Sequence, residues 1–149
     1  MTQSGAESRS AETPESTTAI VWWRSPGALS RAGVAFVWLY HGLVPKLLFC
    51  HETELELVQA GPTPLDASTM VLLAGAAEVA LGMLVLLTIG KRWPIALSLL
   101  GFSALLAGAL VLAPATAIQA FNPVSLTVLA MLLCWINLNA VRLQTADRS

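Results

Sequence analysis

MVLLAGAAEVALGMLVLL, residues 70–87, holds one ionisable side chain, Glu78, in an otherwise apolar run. The hydrocarbon core of a bilayer is about 30 Å thick and takes about 20 mostly apolar residues as a helix. A strand of a membrane barrel would alternate polar and apolar residues over about ten positions, and this run does not alternate. Lipid offers no partners to backbone N–H and C=O groups, so the helix is the form that satisfies them within the segment. The stretch therefore predicts a transmembrane helix at about residues 69–89.

Working outward, three more windows meet the same requirement, at about residues 31–50, 93–113 and 124–143. The breaks between them are marked by Gly61-Pro62-Thr63-Pro64, by Lys91-Arg92-Trp93-Pro94, by Pro114, and by Asn122-Pro123, where a capping residue precedes a proline suited to the first helical position. Composition agrees: of 149 residues 56% are hydrophobic and 11% charged, against about 25% charged in soluble domains. The net charge of −1 carries no basic cluster suited to nucleic acid. The expected fold is an all-α membrane protein with four transmembrane helices in an antiparallel bundle, making one domain over residues 25–145.

Orientation follows from Lys and Arg in the short loops. Arg9, Arg24 and Arg31 flank the first span, Lys91 and Arg92 lie between the second and third, and Arg142 and Arg148 follow the fourth, whereas residues 51–67 and 114–122 hold no Lys or Arg. Both termini are expected to be cytoplasmic, in a multi-pass protein of a cell membrane, the bacterial inner membrane being the expected one. Residues 1–24 read as a disordered tail rich in Ser, Thr and Glu, closed by Trp22, Trp23 and Arg24 as an interfacial anchor. The first outer loop, from His51 to Val58, is expected to form a short amphipathic helix across the outer mouth, with Leu55, Val58 and Gln59 on one face.

Ionisable residues inside a span cost about 2.5–3.5 kcal/mol each on insertion scales and are functional candidates. Three qualify: His41, Lys46 and Glu78. At 1.5 Å per residue, His41 and Glu78 both lie roughly 13 Å below the outer surface, so antiparallel neighbours would bring them level. Lys46 lies roughly 6 Å below it and is expected to snorkel outward toward Glu54. Pro45 removes a backbone N–H and clashes one turn back, which predicts a kink that frees the His41 carbonyl. Ala74, Ala77, Glu78, Leu81 and Gly82 share a helical face, with Gly82 among the small residues that let helices approach, and Gly101 and Gly108 are assigned a similar packing role in the third span. The third and fourth spans read as packing walls, with Asn122-Pro123 closing the outer mouth. Cys50 and Cys134 differ in depth by roughly 15 Å, too much for a disulfide. The two histidines, His41 and His51, stand at no metal-ligand spacing, so no metal site is expected.

Together WLYHGLVPKLL (38–48), ETEL (52–55), GAAEVALG (75–82) and FNP (121–123) resemble the DoxX-like membrane proteins over about residues 25–140. The resemblance implies a four-helix membrane bundle, and for some members an association with quinone-linked oxidoreductase complexes. Its motif positions here are His41, Lys46, Glu54, Glu78, Asn122 and Pro123. Trp38 and Tyr40 are added as aromatic neighbours of the same polar pocket, and Pro45 as its structural kink. Three readings stand open. The first is an accessory subunit of a quinone-linked membrane redox system without catalysis of its own, with quinone as ligand and membrane oxidoreductase subunits as partners. The second is a non-enzymatic scaffold or assembly factor, and the third a small-solute or proton pathway. A homo-oligomer in the lipid bilayer is compatible with each.

Overall fold

The computed structural model describes residues 25–62, 64–118, 120 and 122–146. The tail and its tryptophan anchor lie outside the described residues. Among the described residues the chain is helical and has no strand.

Helix α1, Pro26–His41, starts with proline in its first turn behind Ser25. It runs straight into a π-helical segment, Gly42–Leu48, that contains Pro45. In a π turn each N–H reaches the carbonyl five residues back, as Phe49 N–H does to Val44 O at 3.2 Å. Pro45 lies inside this segment and has no N–H to donate to it. Cys50 then adopts the left-handed conformation at φ +43°, and His51 N–H folds back onto Pro45 O at 2.8 Å. This wide turn, with a left-handed residue as helix ends favour, bends the chain by 93° into α2, Glu52–Gln59. The His51 ring caps α2 by accepting the Thr53 N–H at 3.3 Å, and Glu52 and Glu54 sit in its first turn, where carboxylates complement the helix dipole.

Helix α3, Ala67–Leu87, is capped by Asp66, which accepts the Ser68 hydroxyl at 2.6 Å and the Thr69 N–H at 3.0 Å. Those two bonds, the Ser68 one foremost, hold the Asp66 carboxyl down at about 2. Helix α4 is Trp93–Leu112, followed by a 3₁₀ turn, Pro114–Ile118. Helix α5, Pro123–Ala146, opens on Asn122, whose side-chain oxygen accepts the Ser125 N–H at 2.9 Å. Helices α3, α4 and α5 are each long and apolar enough to cross a membrane, and the bent unit of Pro26–Leu48 with α2 would make a fourth crossing.

Helix α1 begins at Pro26, five residues before the expected boundary at Arg31. Arg31 is not a flank residue at all. It is buried, and its guanidinium donates to the carbonyls of Val85 (2.6 Å), Thr88 (2.9 Å) and Lys91. The last carbonyls of a helix have no partner within it, and Arg31 supplies one to the end of α3.

Helix α1 lies at the centre and packs on the other three long helices. Toward α3, a side chain at Gly42 would meet Gly75 O at 2.6 Å, and one at Gly75 would meet Lys46 Cβ at 2.8 Å and Gly42 O at 2.9 Å. Toward α4, Trp38 stacks on Phe102 with ring centroids 4.3 Å apart and covers Gly101. Toward α5, Leu133 fills the space over Gly33, and Asn137 Nδ2 donates to Gly27 O at 2.6 Å. The buried core is Val34, Ala35, Trp38, Val85, Ile95, Phe102, Ala130 and Cys134.

The face of α3 turned inward is Val71, Gly75, Glu78, Gly82 and Val85. It includes Glu78 and Gly82, as the small-residue pattern predicts, but Ala77 is exposed. Ala77 instead lines a shallow apolar groove between α3 and α4, and Leu81, half-buried against the core, borders the same groove. A side chain at Gly108 would meet nothing within 4 Å among the described residues, whereas one at Gly101 would meet Trp38 at 3.0 Å, so the close-packing role falls to Gly101.

Gly75→Ala is expected to lower stability by about 1–3 kcal/mol, the usual cost of overpacking, because backbone stands in the way. Gly108→Ala is expected to leave stability unchanged or raise it by up to about 1 kcal/mol, since alanine is the better helix former. Thermal unfolding in detergent micelles measures both.

Candidate functional site

The polar residues of α1, α2 and α3 meet at one end of the bundle. Lys46, carried on the π-helical segment one turn beyond Gly42, is buried and donates from Nζ to Glu78 Oε1. Glu54 Oε2, on α2, lies 3.7 Å from the same Nζ. The other Glu78 oxygen, Oε2, is buried and has no hydrogen-bond partner among the described residues.

Glu78 has Lys46 as its partner, not the His41 expected level with it. Lys46 does reach Glu54, as its depth suggests, but it is also buried against Glu78. The reason is the glycine contact. With Gly42 pressed on Gly75, the Lys46 side chain leaves α1 directly above the glycine that precedes Glu78 by three residues. A buried carboxylate is costly unless it is paired, and here the cation stands within reach. Glu54 links the acidic loop helix to this pair.

His41 is half-buried and faces a different space. It lines a partly open cavity of about 720 Å³ with Glu54, Asn122 and Pro123. Thr53, Glu56 and Ser125 complete its polar wall, and Leu57, Leu112 and Leu126 supply much of the apolar one. The predicted positions thus fall into two adjoining sets that share Glu54: Lys46 and Glu78 in the buried pair, and His41, Asn122 and Pro123 around the cavity. The two aromatic neighbours do not line it. Trp38 is in the core, 3% exposed, and Tyr40 is 50% exposed, edge-on to His41 at 6.0 Å.

The sequence reading missed two contributions. The far ends of α4 and α5 form much of the cavity wall through Ala109, Leu112 and Leu126, so these helices are more than packing walls. Arg31 and Asn137 anchor the opposite end of the bundle. Their signal was present in the sequence: each is a strongly polar side chain inside an apolar helix with no charged partner at helical spacing, so backbone carbonyls were the available acceptors.

Chemically, the cavity offers hydrogen-bonding groups at one side and hydrocarbon at the other. Among the described residues no Lys or Arg lines it, which disfavours an anionic headgroup there.

Removing one partner of a buried ion pair typically costs 3–5 kcal/mol, whereas replacing both by apolar residues is often neutral. Lys46→Met is therefore expected to destabilise the protein by about 3–5 kcal/mol, and adding Glu78→Leu is expected to restore most of that loss. Unfolding in micelles of the two single variants and the double variant gives the coupling.

Comparison with known proteins agrees with this architecture. No curated protein and no solved structure matches the chain. The DoxX-like family does match, over residues 35–135, a span that runs from the middle of α1 to the middle of α5 and takes in Lys46, Glu54, Glu78 and the cavity. This membrane protein belongs to the DoxX-like family.

Proposed function

We propose that the protein is an accessory subunit of a quinone-linked membrane redox system, and that its cavity receives the quinone headgroup. The observation that carries this reading is the division of the cavity wall. His41, Asn122 and Thr53 offer hydrogen-bonding groups to ring carbonyls, while Leu112 and Leu126 offer an apolar wall to the isoprenoid tail. Electrons would come from membrane oxidoreductase subunits, because this chain carries no redox-centre motif of its own.

The same proposal sets the topology. The chain crosses the bacterial inner membrane four times with both termini cytoplasmic, which puts α2 and the cavity on the outer side. The absence of Lys and Arg from residues 51–67 and 114–122 supports this orientation.

One observation favours the scaffold reading as the alternative. Lys46 and Glu78 pair between α3 and the π segment that continues α1, which suits residues that fix helix register. A proton or solute pathway draws less support. In the other half of the bundle Ser98 Oγ donates to Pro94 O (2.8 Å), Ser103 Oγ to Leu99 O (2.8 Å) and Asn139 Nδ2 to Trp135 O (3.0 Å), so these polar groups are engaged within their own helices.

Protein extracted from its native membrane is expected to retain quinone, measured by chromatography and mass spectrometry. His41→Ala and Asn122→Ala are each expected to lower its occupancy about five- to tenfold, the loss of one hydrogen bond. Quinone-free wild-type protein, or full retention by both variants, would favour the scaffold.

A further inference from the structure

We propose that the turn Thr88–Arg92, held by Arg31, is a docking surface for an anionic phospholipid headgroup. The inference is independent of what the cavity binds.

It starts from how charge is distributed along the bundle. Among the described residues the acids are Glu52, Glu54, Glu56 and Asp66, at the α2 end, and Glu78, which is paired with Lys46. The opposite end holds Arg31, Lys91 and Arg92 and, among the described residues, no Asp or Glu. The one described cation at the acidic end, Lys46, is already matched by Glu78 and Glu54. One end of the molecule is therefore left with cations that no described carboxylate neutralises.

Arg31 makes this end more than a run of solvated charges. Three of its five N–H groups donate to backbone carbonyls, and among the described residues no carboxylate pairs with its charge. The end of α3 offsets about half a unit of charge at most. Two of the three carbonyls, those of Thr88 and Lys91, belong to the turn itself. The clamp thus fixes the backbone that carries the exposed Lys91 and Arg92 side chains.

The neighbours suit a headgroup boundary. Trp93 is 53% exposed and Ile89 83% exposed on either side of the two cations. Tryptophan is favoured where lipid meets water, and a basic segment beside a membrane helix attracts anionic lipid. Charge complementarity commits the surface to an anionic phospholipid in the leaflet on this side.

The test uses the full chain in neutral detergent, titrated with phosphatidylglycerol or phosphatidylcholine and read by native mass spectrometry. Wild-type protein is expected to prefer phosphatidylglycerol. Lys91→Gln with Arg92→Gln is expected to reduce that preference about 25-fold, at about fivefold per cation, with unfolding temperature in lipid-free detergent unchanged. Arg31→Lys keeps the charge but not the three-carbonyl grip, and is expected to weaken the preference while Glu52→Gln leaves it intact. Equal binding of the two lipids by wild type, or full preference in the double variant, overturns the proposal. Competition by inorganic phosphate as strong as that by phosphatidylglycerol overturns it too, since the ligand would then be the free anion.

Discussion

An ionised side chain in a hydrocarbon medium must find its partner inside the protein, and most of this bundle can be understood from that constraint. Glu78 sits in the middle of an otherwise apolar helix and Lys46 near the end of another. Neither is exposed, and each answers the other. For them to meet, α1 and α3 must come together at backbone distance, which Gly42 and Gly75 allow. The π-helical segment around Pro45 sets the direction in which Lys46 leaves the helix. The ion pair, the glycine contact and the π segment are thus one arrangement, and changing any of them displaces the other two.

The two ends of the bundle solve the same problem differently. At the α2 end, charge is matched by charge, and Glu54 extends the pair toward the cavity. At the opposite end, the buried cation Arg31 is matched by backbone carbonyls at the terminus of α3, and Asn137 does the corresponding service between α5 and the start of α1. Four polar side chains therefore tie α1 to α3 and α5, while its junction with α4 rests on the stacked rings of Trp38 and Phe102. The cavity lies where these ties are fewest, between α2 and the far ends of α4 and α5.

Much of the architecture could be read from sequence because hydrophobic length and proline positions act locally. The bounds of α3, α4 and α5 lie within a few residues of those expected, and Asn122-Pro123 begins α5 as a cap followed by proline should. The partner of Glu78 was not legible in the same way. Depth along ideal helices put His41 opposite it, but the π segment breaks the α-helical spacing after His41, and a depth argument has no access to the glycine contact that sets how the two helices abut. Nearness in sequence to His41 does not put Trp38 and Tyr40 in the pocket, because neighbours along a helix face different directions. The position of Arg31 near a span boundary looks like a topological signal and hides its burial.

The whole arrangement stands on direct contact between Lys46 and Glu78 inside the membrane. Solid-state nuclear magnetic resonance on the isotope-labelled protein in lipid bilayers tests it, through the dipolar coupling between the Lys46 side-chain nitrogen and the Glu78 carboxyl carbon. The account predicts a strong coupling that persists at high salt, as for a pair shielded from solvent. A Lys46 nitrogen uncoupled from Glu78 and in exchange with water would contradict it.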